Sequence, residues 1–404
     1  MKLRASVGKV GNDGLGSDRF LYLDKIEHAY HPSNIPSLGN GGKIEIRMLG
    51  NPNIHWETAW KQNYAVDLTL FNNLDLTFDY YIENRSDILI SRNTVPMISG
   101  LDKNQVPRLN MGKVKNQGYE LSANYRIPIK NDFWVSVGGN FSYNSNKVVE
   151  ADEALLGEDY AYRTRTTGYS LGQDWGYLID RSVNPATGQD GSGFFNSKEQ
   201  IADMNLKYET GGGTPQPGDF IYKDLNGDGI INDRDMAPIG YSNMLPKINY
   251  GVNLAAQFRG FDFSILFQGT GKYSKYYSGR GIFEEEGSKY YPDMVDGRWN
   301  EQRYLAGENI THPRLANSGS VSHVKNDYYI MDASYTRLKN AEIGYTLPTR
   351  ISRKAGMSKV RVYASGDNLY TWQHLHTDSF DPEQKNILDY PVMRTWSFGL
   401  NVEF

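Results

Sequence analysis

The last nine residues, Trp396-Ser-Phe-Gly-Leu-Asn-Val-Glu-Phe404, alternate without a break. Trp396, Phe398, Leu400, Val402 and Phe404 hold one parity; Ser397, Gly399, Asn401 and Glu403 hold the other. An extended chain sends successive side chains to opposite faces, so this segment has one wholly apolar face and one polar face. A helix would scatter the same apolar side chains around its axis. A strand of this kind that ends on an aromatic residue fits the wall of a membrane barrel, apolar outside and polar within.

The two-residue period recurs along the chain. Trp60, Tyr64, Val66, Leu68 and Leu70 share a parity, followed by Leu76, Phe78, Tyr80 and Ile82. Tyr119, Leu121, Ala123, Tyr125 and Ile127 lead, through a short turn, to Phe133, Val135, Val137, Phe141 and Tyr143. Ile248, Tyr250, Val252, Leu254 and Phe258 lead, through Arg259-Gly260, to Phe261, Phe263, Ile265 and Phe267. Ala341, Ile343, Tyr345 and Leu347, then Val360, Val362 and Ala364, complete the pattern. With Leu3, Ala5 and Val7 at the start, the expectation is an all-β, antiparallel transmembrane portion of about ten strands.

Connections alternate between short (near 72–74, 129–132, 259–260 and 348–357) and long (near 10–56, 85–116, 145–245, 271–333 and 373–391). A sandwich uses turns of more even size. Short turns on one rim and long loops on the other are the habit of an outer-membrane barrel. One segment strains the pattern: Arg337 and Lys339 share the parity of Ile343 and Tyr345, and a cation facing the bilayer midplane costs ~2–4 kcal/mol. Their place at the long-loop end predicts that they stand above the apolar band and snorkel, in preference to a bulge that shifts the register.

Composition narrows the classes further. Tyr (29) and Gly (41) are abundant and aromatics reach 13%, which suits strands with aromatic girdles. The net charge of −4 comes without a basic tract, so no nucleic-acid partner is expected. Cys is absent, which excludes thiolate nucleophiles, thiolate metal sites and disulfides. No apolar run approaches ~18 residues, but a barrel strand needs only ~9–11 alternating ones. Met1–Lys9 lacks the apolar core of a signal peptide and alternates as though already in mid-strand. The expectation is a piece of a longer protein.

Several stretches resemble the carboxy-terminal half of SusC-like (SusC/RagA) TonB-dependent outer-membrane transporters of Bacteroidetes. They are KLRASVGKVGND (2–13), GNPNIHWE (50–57), FNNLDLTFDYYIENRSDILI (71–90), KVKNQGYELSANY (113–125), FWVSVGGNFSYNSNKV (133–148) and PGDFIYKDLNGDGIINDRD (217–235). GVNLAAQFRGFDFSILFQG, YTRLKNAEIGYTLP, VRVYASGDNLYTW and RTWSFGLNVEF follow in order. The resemblance implies the last part of a plugged barrel of about 22 strands, with the plug, its TonB-binding segment and the signal peptide outside this chain. It also implies import of a large nutrient, oligosaccharide or peptide, and a SusD-like surface lipoprotein over the long loops. The aromatic terminal strand, Trp396 to Phe404, would then be read by the outer-membrane assembly machinery, and chemistry would not be performed.

Two site candidates stand out. Asp224, Asn226, Asp228, the Ile230 carbonyl, Asn232 and Asp235 follow calcium-loop spacing, with Gly229 at the sharp turn. Asp235 stands where a longer Glu is usual, and an Asn/Asp/Gly turn without metal explains the same residues. The expectation is a structural Ca2+. The 271–333 loop carries Tyr273, Tyr276, Tyr277, Tyr290, Tyr291 and Trp299 beside Glu284-Glu285-Glu286 and Asp293. With Trp372, and with Trp175, Tyr177 and His374 close to the mouth, these aromatic faces suit sugar rings or peptides, or equally the packing of an extracellular loop. His374 and His376 share a parity but lack a third ligand, and no phosphate loop or nucleophile elbow is present. The alternative to an importer is a soluble or surface β-protein that binds glycans through calcium-ordered loops.

Overall fold

The computed structural model describes residues 1–404 except 15–18, 31–41, 96, 103, 131, 155, 163–164, 280, 284–290, 317–318 and 385–388. Ten antiparallel strands form one sheet: β1 (Lys2–Asn12), β2 (Glu57–Leu70), β3 (Leu74–Ile90), β4 (Leu109–Lys130), β5 (Phe133–Glu150), β6 (Ile248–Phe258), β7 (Phe261–Gly271), β8 (Tyr335–Thr346), β9 (Lys359–Gln373) and β10 (Thr395–Glu403). Each pairs with its sequence neighbour, so the order in the sheet is the order in the chain. Among the described residues no helix is long and apolar enough to cross a membrane.

The pairing registers the alternation across the whole sheet. Tyr64 pairs with Tyr80, Tyr80 with Tyr119, and Tyr119 with Tyr143, which makes one outward rung of four tyrosines. The Tyr119 and Tyr143 rings stack with centroids 5.4 Å apart. Apolar rungs follow toward the short turns, and on the last strand Phe398 is 83% exposed and Trp396 63%. In water such a face would be a severe liability; in lipid it is the favourable one, with the tyrosine rung as an interfacial girdle. The opposite face is polar and paired. Arg4 bonds Asp67 at 2.9 Å and Asp79 at 3.2 Å, Arg85 bonds Glu57 at 2.6 Å and Glu83 at 2.8 Å, and Arg361 bridges Asp262 and Glu342.

Turn chemistry fixes the short rim. Arg259 and Gly260 both take positive φ (47° and 87°), the two-residue hairpin geometry whose twist matches the flanking strands. A Cβ at Gly260 would stand 2.7 Å from the Thr346 carbonyl oxygen, so only glycine fits.

Three expectations need correction. The strands run further than the sequence pattern implies: β3, β4 and β5 have 17, 22 and 18 residues, and their backbones stay paired beyond Tyr80, Tyr119 and Tyr143. The two loops therefore cover 91–108 and 151–247. Above the girdle both faces meet polar surroundings, so alternation fades while the hydrogen-bonded ladder continues. The long 10–56 connection also contains a hairpin, Lys25–Tyr30 with Gly42–Met48.

The third correction concerns Arg337. Leu266 pairs with Asn340 but Phe267 with Leu338, and Leu338 pairs with Tyr370 but Asn340 with Asp367. Lys339 is the bulged residue of β8, and parity reverses above it. Arg337 therefore faces inward, opposite Gln268 and Thr371, and is 1% exposed. The register shift, not snorkelling, removes this cation from lipid. Lys339 itself donates to the Asn368 side-chain oxygen at 3.0 Å.

Candidate functional site

The buried core of this protein does not lie in the sheet. Every member of its buried hydrophobic cluster, Tyr177, Phe220, Tyr222, Trp299, Tyr329 and Phe380 among them, lies outside the ten strands. The loops 151–247, 272–334 and 374–394 fold together as one aromatic body on the loop-side rim. Small sheets tie it: Gln173–Tyr177 pairs with Met236–Ser242, and Ser274–Tyr276 with Ile330–Asp332. Buried polar hubs close the rest. Asp219 accepts from Arg314 (2.9 Å) and Ser320 (2.7 Å), some hundred residues away. The Asn326 amide donates to the Tyr222 hydroxyl at 2.9 Å while its oxygen takes the N–H groups of Tyr328 and Tyr329. Such networks specify one arrangement because each unmet buried group would be costly. Burial, with Asp233 and Asp235 nearby, pushes the Tyr177 phenol up to about 12.

Beneath this body opens a cavity of about 990 Å3, lined by Asp174, Tyr273, Lys275, Tyr276, Tyr277, Lys325, Glu383 and Asp389 with three further residues of the same loops. Its volume is in the range of ligand sites. Fixed charges of both signs surround it. Lys325 bonds Asp174 at 2.7 Å and lies 5.1 Å over the Tyr276 ring. The Lys275 ammonium donates to the carbonyls of Pro382 (2.6 Å) and Gln384 (2.9 Å), and burial holds its pKa below the usual lysine value. The Tyr277 hydroxyl is buried with no partner among the described residues, and burial pushes its pKa up.

Glu383 of this lining is held by Arg337. Its guanidinium takes both oxygens of Asp381 and one of Glu383 and donates to Thr371, while the Tyr335 hydroxyl also donates to Glu383. Segment 377–384 is thereby strapped to the inner wall of β8 and β9.

Of the sequence-predicted contacts, Tyr273, Tyr276 and Tyr277 come together at the cavity. Trp299 does not: it is buried in the aromatic body. Trp372 shares the outward face of β9 with Tyr370, opposite Thr336 and 6.3 Å from Phe267, so it faces away from the lumen. Trp175 packs on Tyr169, and His376 on Tyr328. Tyr290 and Glu284–Glu286 lie outside the described residues. Lys275, Lys325, Asp174 and Glu383 carried no local signal, since they come from four separate segments.

The loop with calcium spacing is closed by its own hydrogen bonds. Asp224 accepts from the N–H groups of Gly227 (2.7 Å) and Gly229 (2.8 Å), Asp228 from Ile230, and buried Asp235 from Leu225 and Asn232. Asn226 bonds Asp228, and Asn232 caps Arg234. Among the described residues no three acidic or imidazole groups converge as a metal requires. These hydrogen bonds form a ladder of Asx turns along the loop.

The comparisons with known proteins agree with this architecture. The family model for the TonB-dependent receptor-like β-barrel matches residues 1–227. TonB-dependent receptor P3 of Formosa agariphila is 29% identical over the whole chain, which spans 39% of that protein. TonB-dependent receptor SusC of Bacteroides thetaiotaomicron is 24% identical, and the chain spans 37% of it. Among solved structures, that of the RagAB peptide transporter superposes on all of this chain with a TM-score of 0.67 at 20% identity, over 40% of its own length. The outward apolar face and these likenesses together remove the soluble alternative. The chain belongs to the TonB-dependent receptor β-barrel family, of SusC/RagA type, and is a β-barrel protein of the bacterial outer membrane.

Proposed function

We propose that this chain supplies wall, lumen lining and outer mouth to a TonB-dependent importer of large nutrients, and that the cavity under the loop body touches the solute. Tonic contact with a SusD-like lipoprotein would be made by the exposed side of the same body, and TonB would act through a plug domain. The observation that supports the reading is the charged, tyrosine-lined cavity at the loop-side rim. Charges of both signs favour a peptide, whose termini and backbone are polar at both ends, over a neutral oligosaccharide. RagAB is named as a peptide transporter, which points the same way.

The test is calorimetric binding of a defined peptide pool and of neutral oligosaccharides to the detergent-purified full-length protein. Peptide binding that Tyr276→Ala weakens about tenfold, the loss of ~1.4 kcal/mol, is expected. Oligosaccharide binding with no response to peptides would overturn the solute assignment. No effect of Tyr276→Ala on any bound solute would remove the cavity from the path.

A further inference from the structure

Charge is unevenly divided between the two faces of the first five strands. Glu57, Asp67, Asp75, Asp79, Glu83 and Glu120 all take the inward parity. On the outward parity the rung that contains Lys9, Trp60, Asn84, Lys115 and Lys147 is continuous: Lys9 pairs with Trp60, Trp60 with Asn84, Asn84 with Lys115, and Lys115 with Lys147. Two lysines thus stand directly opposite each other on β4 and β5. All three lysines are exposed, and Lys115 and Lys147 make no ion pair with any described residue. Of the carboxylates further along these strands, Asp87 accepts from Thr58 and Ser86, and Glu150 is held by Lys113 at 2.6 Å.

Like charges directly opposite on a sheet destabilise it unless an anion lies between them. The position of this rung says which anion. It stands two rungs, roughly 13 Å along the strand, beyond the tyrosine girdle; with a strand tilt near 40° that is about 10 Å above the interface. Lysine stems bend back toward the bilayer, so their ammonium groups reach the headgroup layer, which is about 5–8 Å deep per leaflet.

We propose that Lys115 and Lys147, with Lys9 at the same level, bind the phosphate of an anionic lipid headgroup in the loop-side leaflet. The girdle rings of Tyr119 and Tyr143 lie directly below, where they meet the upper part of the acyl chains. The site is separate from the solute cavity, which lies on the other face of the wall.

The experiment is native mass spectrometry of the detergent-purified full-length protein offered phosphatidylglycerol and phosphatidylcholine with identical acyl chains. Preferential, salt-sensitive retention of phosphatidylglycerol is expected, reduced about thirty-fold in the Lys115→Gln/Lys147→Gln double variant, at roughly fivefold per near-surface cation. Lys115→Arg/Lys147→Arg should retain it. Inorganic phosphate at the same concentration should not displace the lipid, because chain contacts contribute to its binding. Equal retention of the two lipids by the unmodified protein overturns the proposal. So does equal phosphatidylglycerol retention in the glutamine variant, displacement by phosphate alone, or occupation of the lysine rung by an acidic protein. Should the glutamine variant fail to insert, the headgroup preference and salt sensitivity of the unmodified protein and the arginine variant decide the matter.

Discussion

Arg337 and Asp381, 44 residues apart in the chain, meet as an ion pair at 2.5 Å with the guanidinium only 1% exposed. A buried pair of this kind is weak evidence for stability, because desolvation offsets much of the attraction, but breaking it strands a charge. Arg337→Met should therefore loosen segment 377–384 by about 3–5 kcal/mol while leaving the wall intact. Hydrogen exchange should rise in 377–384 and stay unchanged in β8 and β9. Unaltered exchange in the segment would mean that Lys275 alone holds the strap.

Trp372 and Trp299 should answer oppositely to the bilayer. A quencher carried on lipid chains should reduce the fluorescence of a variant whose only tryptophan is Trp372, and leave one carrying only Trp299 unchanged. Quenching of Trp299 and not Trp372 would reverse the assignment of the two faces of β9.

The phenols of the loop body should titrate late. Tyr177 has a folded pKa of about 12 against an ordinary value of 10.0, so its contribution is present below pH ~10 and lost as pH rises through about 12. Two units correspond to about 3 kcal/mol. Tyrosinate absorbance should rise in two phases, with loss of near-ultraviolet dichroism accompanying the second. A single phase near pH 10, with the dichroism intact, would contradict the burial of Tyr177.

The 224–235 loop should resist protease equally in calcium and in chelator, because its carboxylates already hold backbone N–H groups. Asp224→Ala, which deprives Gly227 and Gly229 of their acceptor, should speed cleavage in both conditions. Slower cleavage with calcium alone would show that the loop rearranges around the ion.

The terminal rung offers a test of assembly. Deleting Phe404 in the full-length protein should lower the amount inserted more than the transport per inserted copy. Quantified surface copies and uptake rates separate the two effects, and a loss confined to uptake would refute it.

Much of the wall was legible because lipid on one side makes the pattern strict: Phe398, Leu400 and Phe263 announce their face with no knowledge of their neighbours. The tyrosine girdle followed from the same parity once the register was in place. Arg337 was not legible, since one bulged residue, Lys339, reverses every side chain above it and alternation cannot show where a count is broken. Trp372, by contrast, keeps the parity of Val360, Val362 and Ala364, because the two residues Asn368 and Leu369 leave the alternation of β9 unchanged, so its outward face was legible. In the loops, Tyr273 and Trp299 are both aromatic and lie in the same stretch, yet one edges a cavity and the other fills the core. Only tertiary packing separates them.

That the aromatic core belongs to the loops has a consequence for how such a chain can change. The wall is selected by hydrocarbon and the mouth by water, so few substitutions are judged by both. A new specificity can be tried by repacking the upper body around Tyr222 and Asn326 while the staves below keep their register. Two solvents thus divide one polypeptide into a fixed mooring and a replaceable head.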